Sequence, residues 1–319
     1  MTFGIIGSGA FGTALSISLS STNKKLILWT RNQDVVNSVQ EIRENRLRLP
    51  GYILPQNIIV TNDINQMGNC SIILIAVPMQ QLRSLVELHR SSLEGKILVA
   101  CCKGFEVSTG LGPTSILEMA SNKTAVLTGP SFAADLASGF PTALTVASKV
   151  EGLAQYIQGE LGTETLRLYW SDDPIGAEFG GALKNVIAIG CGVTIGAGYG
   201  SSSRAALMTR GYSEIISIAP YFGAKPETLS GLSGLGDLSL TCMSSESRNY
   251  RYGLALGKQQ SFDTNITVEG TSTSSAIILK AKEFKLDTPV MAAINNLVIG
   301  KVSVSVAIQS LLSRPPKKE

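Results

Sequence analysis

Residues 3–6 form a short apolar run that ends on Gly7-Ser8-Gly9-Ala10-Phe11-Gly12. A helical pattern over 13–19 and a second apolar run over 26–29 follow. Few local patterns restrict a chain this much. A strand that turns sharply into a helix and returns as a strand makes a βαβ unit, which calls for a parallel sheet covered by helices. Each glycine has its own task. Gly7 makes the turn, Gly9 lets a group approach the backbone, and Gly12 lets helix pack on strand. The start of the helix also presents unsatisfied N–H groups, which suit a phosphate. In this context the expected ligand is a dinucleotide.

The end of the second strand bears on which dinucleotide. A carboxylate there would bond the ribose 2′-hydroxyl of NAD and repel the 2′-phosphate of NADP. The chain reads Trp29-Thr30-Arg31-Asn32, with no acid before Asp34. Arg31 offers a cation to a 2′-phosphate, which favours NADP(H) and leaves NAD(H) open.

Residues 37–49 are polar, with arginines at 43, 46 and 48, and read as a solvated helix. After a short strand over 58–61, residues 71–77 (SIILIAV) form the continuous apolar run expected of a central parallel strand. His89, the only histidine, reads as a surface residue on a polar helix. A strand over 96–101 delivers Lys103, and another over 125–127 delivers Gly129 and Ser131. Ligands bind beyond the carboxyl ends of parallel strands, so these three are candidate ligand groups. Adjacent Cys101 and Cys102 read as buried small residues rather than a redox pair. Runs over 142–147 and 166–169 look like the last two strands.

From about residue 172 the texture changes to long helical patterns rich in small residues. The expected fold is α/β, a doubly wound Rossmann-type sheet over 1–175 followed by an all-helical domain over 176–319. Residues 180–192 (GGALKNVIAIGCG) place Lys184 on an apolar helix whose other residues cannot share its charge. Such an ammonium stays charged only opposite an anion. Residues 231–238 (GLSGLGDL) set Asp237 among four glycines, a candidate partner. Ser247, Arg248 and Asn249 then offer a hydroxyl, a guanidinium fork and an amide, a set that suits a phosphate. Residues 194–203 read as a glycine and serine loop, 205–219 as a helix, and Thr288 as the N-cap of a helix with Pro289 at its first position.

Composition bounds the rest. A chain of 319 residues, 44% hydrophobic and 16% charged, fits two compact domains. Its net charge of +3 has its visible basic surplus at Lys317 and Lys318, and no basic stripe suggests nucleic acid. The five cysteines show no metal-ligand spacing, so no metal site is expected, and reduced thiols fit a cytoplasmic protein. The longest apolar-looking run, 186–200, reads as too short to cross a bilayer.

Taken together, GSGAFGTAL at 7–15, LPGYILPQNI, KGFE, GPSFA, GGALKNVIAIG, LMTRG, GLGDLSLTC, ESRNYRYG and VEG at 268–270 lie in order over nearly the whole chain. In these motifs the chain closely resembles the bacterial NAD(P)-dependent glycerol-3-phosphate dehydrogenase family. The resemblance implies reversible hydride transfer between dihydroxyacetone phosphate and sn-glycerol 3-phosphate, supplying glycerophospholipid synthesis. It marks Lys184 as proton donor or acceptor and Asp237 as its partner. Lys103, Gly129, Ser131, Ser247, Arg248 and Asn249 would bind the substrate or its phosphate. Beside Gly7, Gly9 and Gly12, it puts Ser8, Phe11, Arg31, Ala133, Arg248 and Glu269 on the cofactor, with Lys103 near both ligands. It also implies a homodimer formed through the helical domain. Two features depart from the family: Cys101-Cys102 before Lys103, and the Thr/Ser-rich segment 271–275. A related dehydrogenase of another small oxo or hydroxy acid would keep the glycine loop and Lys184 but not the set at 247–249. A non-catalytic nicotinamide sensor would leave Lys184 and Asp237 unexplained.

Overall fold

The computed structural model describes residues 1–22 and 24–313; Lys317 and Lys318 fall outside the described residues. Among the described residues ten strands occur in chain order: β1 (Thr2–Ile6), β2 (Lys25–Trp29), β3 (Glu44–Asn45), β4 (Leu49–Ile53), β5 (Ile58–Thr61), β6 (Ile72–Ile75), β7 (Ile97–Ala100), β8 (Thr124–Thr128), β9 (Thr142–Ala147) and β10 (Leu166–Ser171). Eight of them build one sheet in the order β10-β9-β8-β7-β6-β1-β2-β5. Every pair in it is parallel except β8–β9, which is antiparallel.

The chain separates into two compact units. The first comprises residues 1–103 and 112–178, the second residues 104–111 and 179–319. The sheet belongs to the first unit and is buried on both faces, as a parallel sheet requires. Phe3, Ile5, Leu26, Leu28, Ile72 and Leu74 enter one cluster, while Ile6, Ile27, Trp29, Ile73 and Ile75 enter the other. This is the period-two alternation of a strand expressed as two cores.

Residues 37–49 are not a solvated helix. The helix is Gln33–Ile42, stopped by Arg43 in the left-handed region at φ 56°, and the chain then folds back as the β3–β4 hairpin. Polar composition misled here because Arg43 is half-buried. Its guanidinium donates to the carbonyls of Leu54 (3.1 Å), Pro55 and Ile58 (3.0 Å). His89 is likewise half-buried, its ring edge-on to Trp29 at 5.6 Å, and burial lowers its pKa.

The second unit is helical. Its main element, the Pro174–Gly196 helix, begins in the first unit, and the glycine and serine loop shrinks to 197–200 because the next helix is Ser201–Ile218. At 23 residues that first helix is long and apolar enough to cross a bilayer, which corrects the expectation from 186–200; 83% of its most apolar stretch is buried in the protein. Glycines let it meet the Arg248–Gly257 helix at backbone distance. A Cβ on Gly192 or Gly196 would strike the carbonyl of Tyr250 or Leu254, and one on Gly253 or Gly257 that of Ile189 or Val193. Thr288 stands at the N-cap of the Pro289–Val298 helix with Pro289 at its first position, as expected, but its side chain does not cap the helix. Buried Glu214 does so instead, accepting from Val290 N (2.8 Å) and Met291 N (2.9 Å), the first N–H groups after a proline that has none.

Within the first unit Glu178 is buried and accepts from Thr114 N at 2.6 Å. Burial pushes its carboxyl from 4.5 up to about 7, against the opposing effect of the Thr114 hydrogen bonds. The folded state therefore holds this proton more tightly than the unfolded chain. Its contribution to stability is complete below about pH 4.5 and is lost as the pH rises through about 7. Glu178→Gln cannot ionise, so between about pH 5 and pH 8 its stability should rise against wild type by up to about 3 kcal/mol. Thermal unfolding at the two pH values checks this, and a constant gap between the proteins would count against it.

Candidate active site

In the first unit the sheet itself sets the place. From β1 the chain runs outward to β2 and β5 and then returns to β6 on the opposite side of β1, so the strand order reverses between β1 and β6. Ligands bind beyond the carboxyl ends of the strands at such a point. Gly7 follows β1 there at φ +109°, and a Cβ on it would meet the carbonyl of Ala76, which follows β6, at 2.5 Å. A Cβ on Gly12 would strike the Gly7 carbonyl, whereas one on Gly9 would meet nothing within 4 Å. The Ala10–Leu19 helix starts from Gly9 with no side chain capping it. A closed turn, an open second glycine and an uncapped helix start are the features a pyrophosphate needs. Ser8 Oγ donates to Thr30 Oγ1 (2.7 Å), Phe11 packs against the core, and Arg31 is exposed just past β2.

Lys103, Gly129 and Ser131 follow the parallel strands β7 and β8, at the same edge of the sheet as the glycine loop. These three candidates lie together. Lys103 Nζ donates to the Gly129 carbonyl at 3.1 Å, and Ser131 Oγ donates to it at 3.4 Å. Gly129 lies at φ +143°, a conformation that side-chain-bearing residues rarely adopt. Ala133 opens the short helix Ala133–Ala137. Before Lys103, Cys101 and Cys102 are both buried, and burial pushes the Cys101 thiol up to about 12, so it stays protonated and inert.

In the second unit Lys184 and Asp237 form an ion pair, 7% and 1% exposed respectively. Lys184 Nζ also donates to Thr241 Oγ1 at 2.8 Å. Asp237 begins the Asp237–Met243 helix straight after a wide π-helical turn at Leu232–Gly236, where Gly236 N donates to the Gly231 carbonyl (3.2 Å). Gly180 permits that turn to lie close, since a Cβ on it would meet the Ser233 carbonyl at 2.5 Å. Asp237 and Thr241 stand one helical turn apart, so both face Lys184.

Ser247 is the N-cap of the Arg248–Gly257 helix, accepting from Tyr250 N at 3.2 Å. Arg248 is exposed at its first position. This is a helix start, whose backbone dipole favours an anion. Asn249 is buried and its amide is used at both ends: Nδ2 donates to Asn185 Oδ1 (2.9 Å), and Oδ1 accepts from Gly270 N (2.9 Å). Asn185, Asn249 and Gly270 each adjoin a candidate residue, namely Lys184, Arg248 and Glu269. One amide chain thus ties three helices together beside them. Sequence reasoning gave no role to Thr241, Asn185 or Asn45; only the i+4 spacing from Asp237 to Thr241 carried a usable signal.

Comparison with known proteins shows the family. Residues 2–154 match the family model described as NAD-dependent glycerol-3-phosphate dehydrogenase N-terminus, and residues 173–309 match its C-terminus. The glycerol-3-phosphate dehydrogenase [NAD(P)+] of Ruegeria sp. is 50% identical over all of both chains. That of Roseobacter denitrificans is 49% identical, again over all of both. The crystal structure of glycerol-3-phosphate dehydrogenase from Coxiella burnetii superposes with a TM-score of 0.92 at 31% identity, covering 98% of this chain and 99% of that one. From its glycine loop to its buried lysine, the chain belongs to the NAD-dependent glycerol-3-phosphate dehydrogenase family.

Proposed function

We propose that the chain reduces dihydroxyacetone phosphate to sn-glycerol 3-phosphate, reversibly, with Lys184 as the general acid and base. The observation that carries this reading is the buried Lys184–Asp237 pair with Thr241 beside it. When bound, the reduced nicotinamide supplies the hydride. Negative charge then develops on the substrate's carbonyl oxygen, and the Lys184 ammonium stabilises it and delivers a proton. Asp237 holds that ammonium in place and charged. In the oxidative direction Lys184 takes the proton back.

Ser247, Arg248 and the helix start they sit on would grip the phosphate, with Lys103, Gly129, Ser131 and Asn249 completing the substrate set. Binding at a group remote from the chemistry orients the ketone and contributes to the chemical step. Gly7, Ser8, Gly9, Phe11, Gly12, Arg31 and Ala133 would hold the cofactor, joined by Lys103, Arg248 and Glu269. Most of the proposed cofactor set lies before about residue 175 and the proton-transfer pair after it, while Lys103, Gly129 and Ser131 on one side and Arg248 and Glu269 on the other serve across that division. The same reading makes the protein a cytoplasmic homodimer that feeds phospholipid synthesis; burial of the Pro174–Gly196 helix supports a core element rather than a membrane span.

The direct test is loss of reduced-nicotinamide absorbance on adding dihydroxyacetone phosphate, with NADPH and NADH run separately. Turnover with either supports the reaction, and a preference for NADPH supports the role given to Arg31. Binding of both cofactors without turnover would redirect the search to other small ketones. Arg248→Ala should raise the KM for dihydroxyacetone phosphate by about tenfold or more, the loss of one charge-assisted contact of about 1.5–3 kcal/mol. An unchanged KM would remove Arg248 from the phosphate site.

A further inference from the structure

The β3–β4 hairpin inserts one side chain into the glycine loop. Asn45, 1% exposed, donates from Nδ2 to the Ser8 carbonyl (2.9 Å) and to Thr13 Oγ1 (2.8 Å). Thr13 is itself fully buried, and its hydroxyl reaches the same carbonyl at 3.4 Å. Asn45 Oδ1 is buried with no hydrogen-bond partner among the described residues. The amide therefore keeps a costly orphan acceptor for the sake of its two donors. Turning it over would set oxygen against the Ser8 carbonyl oxygen, so its orientation is determined.

We propose that Asn45 is a positioning residue for the dinucleotide, acting through the Ser8–Gly9 peptide. In a trans peptide the carbonyl and the following N–H point in opposite directions. Drawing the Ser8 carbonyl inward to Asn45 turns the Gly9 N–H away from it. Gly9 is exposed and has open space around it, so that N–H faces an incoming anion. Gly9 also starts the Ala10–Leu19 helix, and the same tether sets where the helix start points. Without it the peptide can rotate, because glycine resists rotation less than any other residue. Asn45 lies 37 residues beyond Ser8, on a hairpin outside the strand–loop–helix motif, so the motif itself gives no hint of it.

The proposal rests on the reading that the Gly7–Gly12 loop holds the dinucleotide, and the test separates the two. The Kd of the purified protein for NADPH is measured by nucleotide fluorescence without substrate, together with Tm and the KM for dihydroxyacetone phosphate. Asn45→Asp keeps the shape but replaces the Nδ2 donor with an oxygen that repels the Ser8 carbonyl; Asn45→Ala removes the group and serves if the first variant folds poorly. Each should raise the Kd for NADPH tenfold or more while the KM for dihydroxyacetone phosphate moves less than twofold. Thr13→Val loses its own longer contact with the Ser8 carbonyl but keeps the Asn45 bond to it, and should raise the Kd less than threefold. A lowered Tm with unchanged Kd in the Asn45 variants would make Asn45 merely structural and overturn the proposal. So would a Thr13→Val effect as large as theirs, which would point to packing. Gly9→Val fills the open face of the loop. If it leaves the Kd unchanged, the loop is not the dinucleotide site and the underlying reading fails. If it weakens binding while the Asn45 variants do not, only the role of Asn45 fails.

Discussion

Replacing Lys184 by alanine is expected to lower turnover on the order of a hundredfold or more, with the Kd for NADPH within a few-fold of wild type. A positioned acid contributes about 10²–10⁴-fold by proton transfer alone, and the developing oxyanion would lose its nearest cation as well. The cofactor set at the glycine loop does not include this side chain, so nucleotide binding is the internal control. Turnover like that of wild type would remove Lys184 from the mechanism. The variant also leaves the buried Asp237 carboxylate without its counter-charge, and the hydroxyl of Thr241, 3.4 Å away, is neutral. Some loss of Tm should therefore accompany the kinetic defect, and activity must be assayed well below the new midpoint.

The second large effect is on stability. Asp237→Ala should cost about 3–5 kcal/mol, because it leaves a buried ammonium without its counter-charge. Thr241 cannot replace it, since a hydroxyl oxygen carries no formal charge. Turnover should fall too, as Lys184 is no longer held in place. The informative protein is the double variant Lys184→Met/Asp237→Leu. Replacing both members of a buried pair by apolar groups of similar size is often neutral or stabilising. Urea unfolding should therefore show most of the lost stability restored in the double variant, while activity stays at the level of Lys184→Ala. If the double variant is no more stable than Asp237→Ala, the pair's electrostatics do not explain the single-variant loss.

How legible the site was in the sequence depended on how far each residue's partners lie along the chain. The glycine loop could be read because its pattern is local: strand, turn and helix follow one another within residues 2–19, although the close approach of Gly7 to the Ala76 carbonyl is not visible in it. The same holds for Lys103, Gly129 and Ser131, since a strand's end can be seen in the apolar run before it. Lys184 and Asp237 were paired across 53 residues on charge alone, because a buried charge must have a counter-charge. Hydrogen-bonding groups gave no such demand. The partner of Glu214 is a helix start 76 residues away, so Thr288 took its place as the expected cap.

Composition failed where a polar side chain is used inside the fold. Residues 37–49 look solvated, yet Arg43 closes on three carbonyls and Asn45 enters the glycine loop. Both side chains satisfy backbone groups of other segments, and no periodicity records that. The sequence by itself determined the βαβ start, the change from sheet to helices and the chemistry carried by each candidate side chain, because these follow from neighbours in the chain. Only the tertiary structure decided that β9 and β10 run opposite to the other strands of the sheet, which amides are spent on internal bonds, and how closely the Pro174–Gly196 and Arg248–Gly257 helices approach. Those outcomes depend on backbone groups far apart in sequence finding one another, and every residue carries the same backbone groups.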